Sequence, residues 1–205
     1  MLRGEALAAM RGDRKLFTDL DFDLHAGELL YIAGPNGSGK TTLLRMICGL
    51  VIPSAGQVLW KDENIHTLGE EFRADLLYCG HLGALKDDLS GLENLRFSCR
   101  LGGTPVSEDE AVMALSRMGL AGREDLPAKV LSQGQKRRVG LARLLLMRAR
   151  LWVLDEPFTA LDVGAIELLR ETMRTHLAGG GLLVLTTHQQ VEIEAAAVKR
   201  IEMGP

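Results

Sequence analysis

The stretch Gly34-Pro35-Asn36-Gly37-Ser38-Gly39-Lys40-Thr41-Thr42 constrains this chain more than any other. An apolar run, Leu29-Leu30-Tyr31-Ile32-Ala33, precedes it with the composition of a buried strand. Leu43-Leu44-Arg45-Met46-Ile47-Cys48 follows it with the apolar spacing of a helix. Strand, glycine-rich loop and helix are the context in which G-x-x-x-x-G-K-T holds a polyphosphate. The glycines let backbone N–H groups close around phosphate oxygens, and a helix starting near Gly39 adds the positive end of its dipole. Lys40 is then placed for the β- and γ-phosphates, and Thr41 for offering a hydroxyl to Mg2+.

The flanking sequence predicts the rest of the scaffold. Residues 3 to 8 and Leu20 to Leu24 are short apolar segments around the polar turn Arg11-Gly12-Asp13-Arg14, which predicts a β-hairpin region. Gln57-Val58-Leu59-Trp60, Leu76-Leu77-Tyr78-Cys79, Leu151-Trp152-Val153-Leu154 and Leu182 to Thr187 read as further strands. The all-apolar ones suit a parallel sheet covered on both faces. From about Asp87 to Val130 the segments turn helical and polar-faced, with Leu92, Leu95 and Phe97 in one and Ala111, Leu115 and Met118 in another. This predicts a helical insertion over about 87–132, between core segments 1–86 and 133–205 of one α/β domain. A long helix is expected from Gln133 to Arg148, with Val139, Leu141, Ala142 and Leu145 facing inward, and another from Asp162 to Leu177.

Phosphoryl transfer also needs an acidic group for the metal and a group that orients water. Leu154-Asp155-Glu156 supplies both at the end of a strand: Asp155 for Mg2+ and Glu156 as general base. Leu131-Ser132-Gln133-Gly134-Gln135 adds a second anion site, where a hydroxyl, backbone N–H groups and a helix N-terminus meet. One monomer has no second γ-phosphate for that site to hold.

Here the chain resembles the ATP-binding cassette (ABC) family, whose signature, usually LSGGQ, reaches across a dimer to the nucleotide held by the partner. The resemblance implies a RecA-like P-loop NTPase fold with an N-terminal antiparallel β region and an inserted helical subdomain. It also implies ATP and Mg2+ as ligands and a homodimer in the ATP-bound state, with Ser132, Gln133, Gly134 and Gln135 as the trans contacts. Pro157 to Asp162 is similar to the family's D-loop, and His188 matches its switch histidine. Two positions depart from the family. Aligning Leu89 to Leu95 puts His81 where a glutamine usually meets Mg2+ and the attacking water, a role an imidazole can fill with added pH sensitivity. Arg11 falls where an aromatic residue stacks on adenine, and a planar guanidinium can stack too.

Gly80-His81, LSQGQ, Thr186-Thr187-His188-Gln189 and the Arg143–Trp152 stretch resemble one subgroup, the ATPases of haem exporters in bacterial cytochrome c maturation. That implies integral membrane partners on the cytoplasmic side of the inner membrane. With no apolar run long enough to span a bilayer, attachment is expected through such a partner, at the surface carrying Leu82, Leu85 and Leu89. The net charge of −3 gives no basic field, so no nucleic acid is expected. Three cysteines, Cys48, Cys79 and Cys99, stand apart in apolar surroundings, against a disulfide framework and in favour of a reducing cytosol. Another small-substrate ABC transporter is the neighbouring possibility. A soluble cassette ATPase of translation or repair usually carries two cassettes or a long coiled-coil insertion, and a P-loop kinase has no use for residues 131–135. The five histidines show no axial-ligand arrangement, so haem itself is not legible in the residues.

Overall fold

In the computed structural model, residues 1–80, 85–188 and 191–204 are described. The chain divides into two compact units, one made of Met1–Tyr78, Ala149–Glu156 and Thr175–Pro205, the other of Cys79–Arg148 and Pro157–Arg174.

The first unit holds two sheets. β1 (Leu2–Arg11), β2 (Arg14–Leu24), β4 (Ala55–Trp60) and the short β5 (Glu63–Asn64) form an antiparallel sheet in the order β2-β1-β4-β5. β3 (Glu28–Ala33), β6 (Leu76–Cys79), β7 (Leu151–Asp155), β8 (Leu182–Thr186) and β9 (Ala197–Glu202) form the second, ordered β6-β7-β8-β3-β9. The pairs β7–β8, β8–β3 and β3–β9 are parallel. Every residue of β7 and β8 is buried, as the apolar runs Leu151–Leu154 and Leu182–Leu185 require, and so are the polar Asp155 and Thr186 that end them. The helix after the phosphate loop, α1 (Lys40–Ile47), sends Leu43, Leu44 and Ile47 into a core shared with Leu30, Ile32, Val153 and Val184. Two short helices, α2 (Ile65–Leu68) and α3 (Glu70–Asp75), lead from β5 to β6. Buried Trp152 stacks on the half-buried His176 at 3.8 Å between centroids and 6° between planes.

The second unit is helical. α4 (Gly91–Leu101) and α5 (Glu108–Arg117) each start with a capping box, Ser90 with Glu93 and Ser107 with Glu110. Asn94 is buried and serves as a hub: Oδ1 accepts from Lys86 N at 2.8 Å, while Nδ2 donates to the carbonyls of Lys86, Leu89 and Ser90. The buried face of α4 is Leu92, Leu95 and Cys99, and Phe97 lies outside it, 40% exposed beneath the Lys86 ammonium. Two helical steps from Leu95 turn a side chain through about 200°, which puts Phe97 on the opposite face of the helix.

One correction concerns the helix expected to reach Arg148. α6 spans only Gln133–Leu141, and the chain tightens into a 3₁₀ turn over Ala142–Leu145. Arg143 Nε donates to Gly140 O at 3.1 Å, taking up a carbonyl near the helix end, and Gly140 itself weakens α-helix there. The tighter turn buries Leu144 in place of the expected Leu145. Most of α7 (Val163–Ala178) completes this unit.

Candidate functional site

The site in the first unit grows from three neighbouring parallel strand ends. β3 runs into the phosphate loop, β7 ends at Asp155, and β8 ends at Thr186, with Asp155 and Ile32 both register partners of Thr186. Ligand sites of open parallel sheets lie beyond such carboxyl ends.

Gly34 leaves β3 with φ 142°, a conformation that side chains rarely adopt, and a Cβ there would meet Met203 O at 2.6 Å. At the other end Gly39, φ 105°, caps α1, and a Cβ on it would meet Leu16 and Phe17 at 3.2 and 3.3 Å. Between them Asn36 and Gly37 are exposed, Pro35 O accepts from Ser38 N, and Thr42 is half-buried. Lys40 is buried, with Nζ donating to Gly34 O at 2.7 Å and Pro35 O at 3.1 Å, so its ammonium is held over the loop's own carbonyls. Ser38 Oγ is buried and has no hydrogen-bond partner among the described residues, an arrangement a phosphate oxygen would satisfy.

Asp155 is buried, and hydroxyls hold both of its oxygens. Thr41 Oγ1 donates to Oδ2 at 3.0 Å and Thr186 Oγ1 donates to Oδ1 at 2.8 Å. The next residue, Glu156, sits in the left-handed region at φ 51°. Its N–H donates to Thr186 Oγ1 at 3.0 Å, and its carboxylate accepts from His188 N at 3.2 Å, with His188 Nε2 3.4 Å away. Glu156 is mostly covered while His188 is largely exposed, so the pair lies at the rim of the site. Lys40, Thr41, Asp155, Glu156 and His188 are therefore brought together. Arg11 is exposed at the β1–β2 turn, next to its register partner Arg14. His81 and Leu82 lie outside the described residues.

In the second unit Ser132 caps α6. Its Oγ accepts from Gln135 N, and Gln135 Oε1 accepts in return from Ser132 N at 2.8 Å. Ser132 and Gln133 are exposed, which leaves the hydroxyl proton and the helix N-terminus facing outward. Gly134 is packed so closely that a Cβ would meet Ala160 O at 2.8 Å. Asp162 accepts from Ala165 N at 2.9 Å and pairs with Arg138; the Ala165 N–H first, then the guanidinium, hold its carboxyl below the usual range.

Sequence reasoning passed over Thr186. Its only signal is a hydroxyl at the end of an otherwise aliphatic strand, Leu182-Leu183-Val184-Leu185. An oxygen-only donor set suits Mg2+, and Thr41 with Asp155 offers one. No cluster of three or more His, Cys, Asp or Glu exists among the described residues.

A parallel-sheet P-loop unit of this kind, with a capped LSQGQ helix in the companion unit, defines an ATP-binding cassette, and the sequence profile of ABC transporters matches residues 17–159. Solved structures agree. An ATP-binding subunit of an ABC transporter superposes with a TM-score of 0.81 at 28% identity, over 91% of this chain and 79% of that one. A dimeric cassette in a post-hydrolysis state, with ADP and Pi, superposes with a TM-score of 0.80 at 23% identity, over 92% and 88% of the two chains, a likeness of fold. Among curated proteins, the cytochrome c biogenesis ATP-binding export protein CcmA of Nitrosomonas europaea is 51% identical over 204 residues, 100% of this chain and 96% of its own length. The protein of the same name from Dechloromonas aromatica is 53% identical over 100% of both chains, and that of Escherichia coli 46% over 99% and 96%. The chain belongs to the CcmA family of ABC transporter ATP-binding proteins.

Proposed function

We propose that this chain hydrolyses ATP for the transporter that handles haem in bacterial cytochrome c maturation, as a homodimer closed around ATP on integral membrane subunits. It is the ATP-binding, ATP-hydrolysing subunit of an ABC transporter for cytochrome c biogenesis. The observation that carries the hydrolytic reading is the Thr41–Asp155–Thr186 chain with Glu156 against His188. One connected hydrogen-bond path thereby joins the phosphate loop to the Asp155 carboxylate and on to the backbone N–H of Glu156.

The chain's own groups then divide the reaction. Backbone N–H groups of residues 36–40, with Ser38 Oγ, surround the β-phosphate, and Lys40 Nζ exchanges the Gly34 and Pro35 carbonyls for β- and γ-phosphate oxygens. Thr41 and Asp155 would hold Mg2+, which when bound neutralises charge on the β- and γ-oxygens. Glu156 orients water and accepts its proton as the water oxygen attacks the γ-phosphorus and the bridging bond to the β-phosphate breaks. His188 stands beside the Glu156 carboxylate, and in our reading it ties that base to the γ-phosphate. Ser132, Gln133, Gly134 and Gln135 of each copy close on the γ-phosphate held by the other, with Asp162 at the same seam. His81 acts on water, and Arg11 stacks on adenine.

No helix among the described residues is long and apolar enough to cross a membrane. Attachment is through integral partners at the cytoplasmic face. The half-buried Leu85 and Leu89 follow the His81 segment and are our candidates for that contact.

The test pairs Lys40→Ala with the natural chain. Loss of hydrolysis in the purified variant, loss of c-type cytochromes in cells relying on it, and recovery of the natural chain with membrane proteins are expected. Near-normal turnover by Lys40→Ala would sink the phosphate-loop assignment. A natural chain that hydrolyses ATP but leaves c-type cytochromes unaffected when deleted would sink the transport assignment.

A further inference from the structure

We propose that Thr186 is a positioning residue for ATP hydrolysis, acting through the geometry of Asp155 and Glu156. The inference rests on the hydrolytic reading of that site. Thr186 is fully buried at the end of β8, after four aliphatic residues, where valine has the same shape and is the expected occupant. A hydroxyl in such a place needs partners, and it has them on both sides. Its proton goes to Asp155 Oδ1 at 2.8 Å, and its lone pair receives the Glu156 N–H at 3.0 Å. A hydroxyl has one proton and two lone pairs, so the two bonds are mutually consistent and fix its rotor.

Each bond does something that the sheet cannot. The β7–β8 ladder ends at the pair Asp155–Thr186, so the Glu156 N–H has left regular pairing. Thr186 Oγ1 takes that N–H and holds Glu156 in the left-handed conformation that turns its carboxylate toward His188. At the same time it anchors one oxygen of Asp155, and Thr41 on the helix of the phosphate loop takes the other. Thr186 therefore sets the angle between the metal-side carboxylate and the base. Thr186 is fully buried with its hydroxyl engaged by Asp155 and Glu156, so it acts through them, which separates its effect from that of Lys40 or Glu156.

The experiment compares the natural chain, Thr186→Val, Thr186→Ser and Glu156→Gln in steady-state ATP hydrolysis and in binding of a fluorescent ATP analogue. Thr186→Val is expected to lower kcat by about ten- to a hundredfold, the range for a lost hydrogen bond to a charged group, with nucleotide affinity changed far less. Thr186→Ser, which restores the hydroxyl, is expected to recover most of kcat. A Val variant with natural kcat overturns the proposal, as does a Ser variant as slow as Val, because the methyl group would then be what matters. If Thr186→Val yields no folded protein, Thr186→Cys takes its place: a full kcat with that weak donor overturns the proposal, and a lowered kcat with intact binding supports it. Failure of the hydrolytic reading looks different, since Glu156→Gln would then turn over ATP as fast as the natural chain.

Discussion

Gly34→Ala tests whether the phosphate loop is held by packing or only by its backbone. Two penalties fall on an alanine there. The left-handed conformation costs a non-glycine residue about 1–2 kcal/mol. The added Cβ would stand 2.6 Å from Met203 O, 2.9 Å from Met203 Cβ and 3.0 Å from Ser38 Oγ. Met203 cannot retreat freely, because its N–H donates to Ala33 O at 2.8 Å beside the edge strand β9. Overpacking of this kind adds about 1–3 kcal/mol, so the sum is about 2–5 kcal/mol. For a chain of this length about 2–4 °C of melting temperature follows each kcal/mol, giving a loss on the order of 10 °C. Gly37→Ala is the control: its φ is 82°, but a Cβ there has nothing within 4 Å, so only the conformational penalty of about 1–2 kcal/mol applies. Thermal melts of both variants, with binding of a fluorescent ATP analogue, are the assay. Gly34→Ala should melt several degrees below Gly37→Ala and bind the analogue at least about tenfold more weakly, because either Ser38 or the strand end must move. If the two variants melt together, the tight packing around Gly34 contributes nothing and the reasoning fails.

Other perturbations separate the remaining roles. Glu156→Gln should keep ATP binding while hydrolysis falls about a hundred- to ten-thousandfold, the usual weight of a general base, and ATP with Mg2+ should shift it to a dimer on sizing; a persistent monomer, even beside the membrane partner, counts against the sandwich. Ser132→Arg should abolish that dimer while each copy still binds ATP, and loss of binding would instead show a damaged fold. Burial lowers the pKa of His176 despite the opposing pull of the Leu182 carbonyl, so the folded chain takes up this proton later than the unfolded one as pH falls. The contribution is present above the unfolded value near 6.5 and is lost on acidification below it, and His176→Phe should flatten the melting temperature between about pH 7.5 and 5; an unchanged slope would exclude His176 as its source. His81→Gln should retain substantial activity and flatten its pH dependence near about 6.5, and an unaltered profile would remove His81 from the chemistry.

What was legible in the residues was local. The phosphate loop declares itself because strand, turn chemistry and helix lie within one short window, and β7 and β8 do so by unbroken apolar runs. β9 alternates half-buried Ala197, Lys199 and Ile201 with exposed Val198, Arg200 and Glu202, and its pairing with β3 depends on a partner far away in sequence. The end of α6 escaped prediction because the apolar spacing continues through Leu144 and Leu145, while one arginine side chain bonds the Gly140 carbonyl. Within the site, Asp155 and Glu156 stand out by charge at a strand end. The bond between Asp155 and Thr186 crosses 31 positions and turns on the difference between a hydroxyl and a methyl group of the same shape, which no periodicity records.

That choice of hydroxyls has its own logic. Asp155 is a buried carboxylate, and a hydrocarbon in place of Thr41 or Thr186 would leave part of its charge unsolvated, a costly arrangement. A lysine or arginine in either place would satisfy it but cancel the negative charge that draws a divalent ion. Two threonines meet the hydrogen-bonding need with neutral groups. They also divide the carboxylate between two bodies, since Thr186 belongs to the sheet and Thr41 to the helix that closes the phosphate loop. Thr41 can turn a lone pair toward a cation while its proton stays on Asp155, because a hydroxyl donates and accepts at once. Thr186 has no such freedom, being tied at both ends to the chain. One hydroxyl can therefore respond to the nucleotide, and the other keeps Asp155 and Glu156 in fixed relation while it does so.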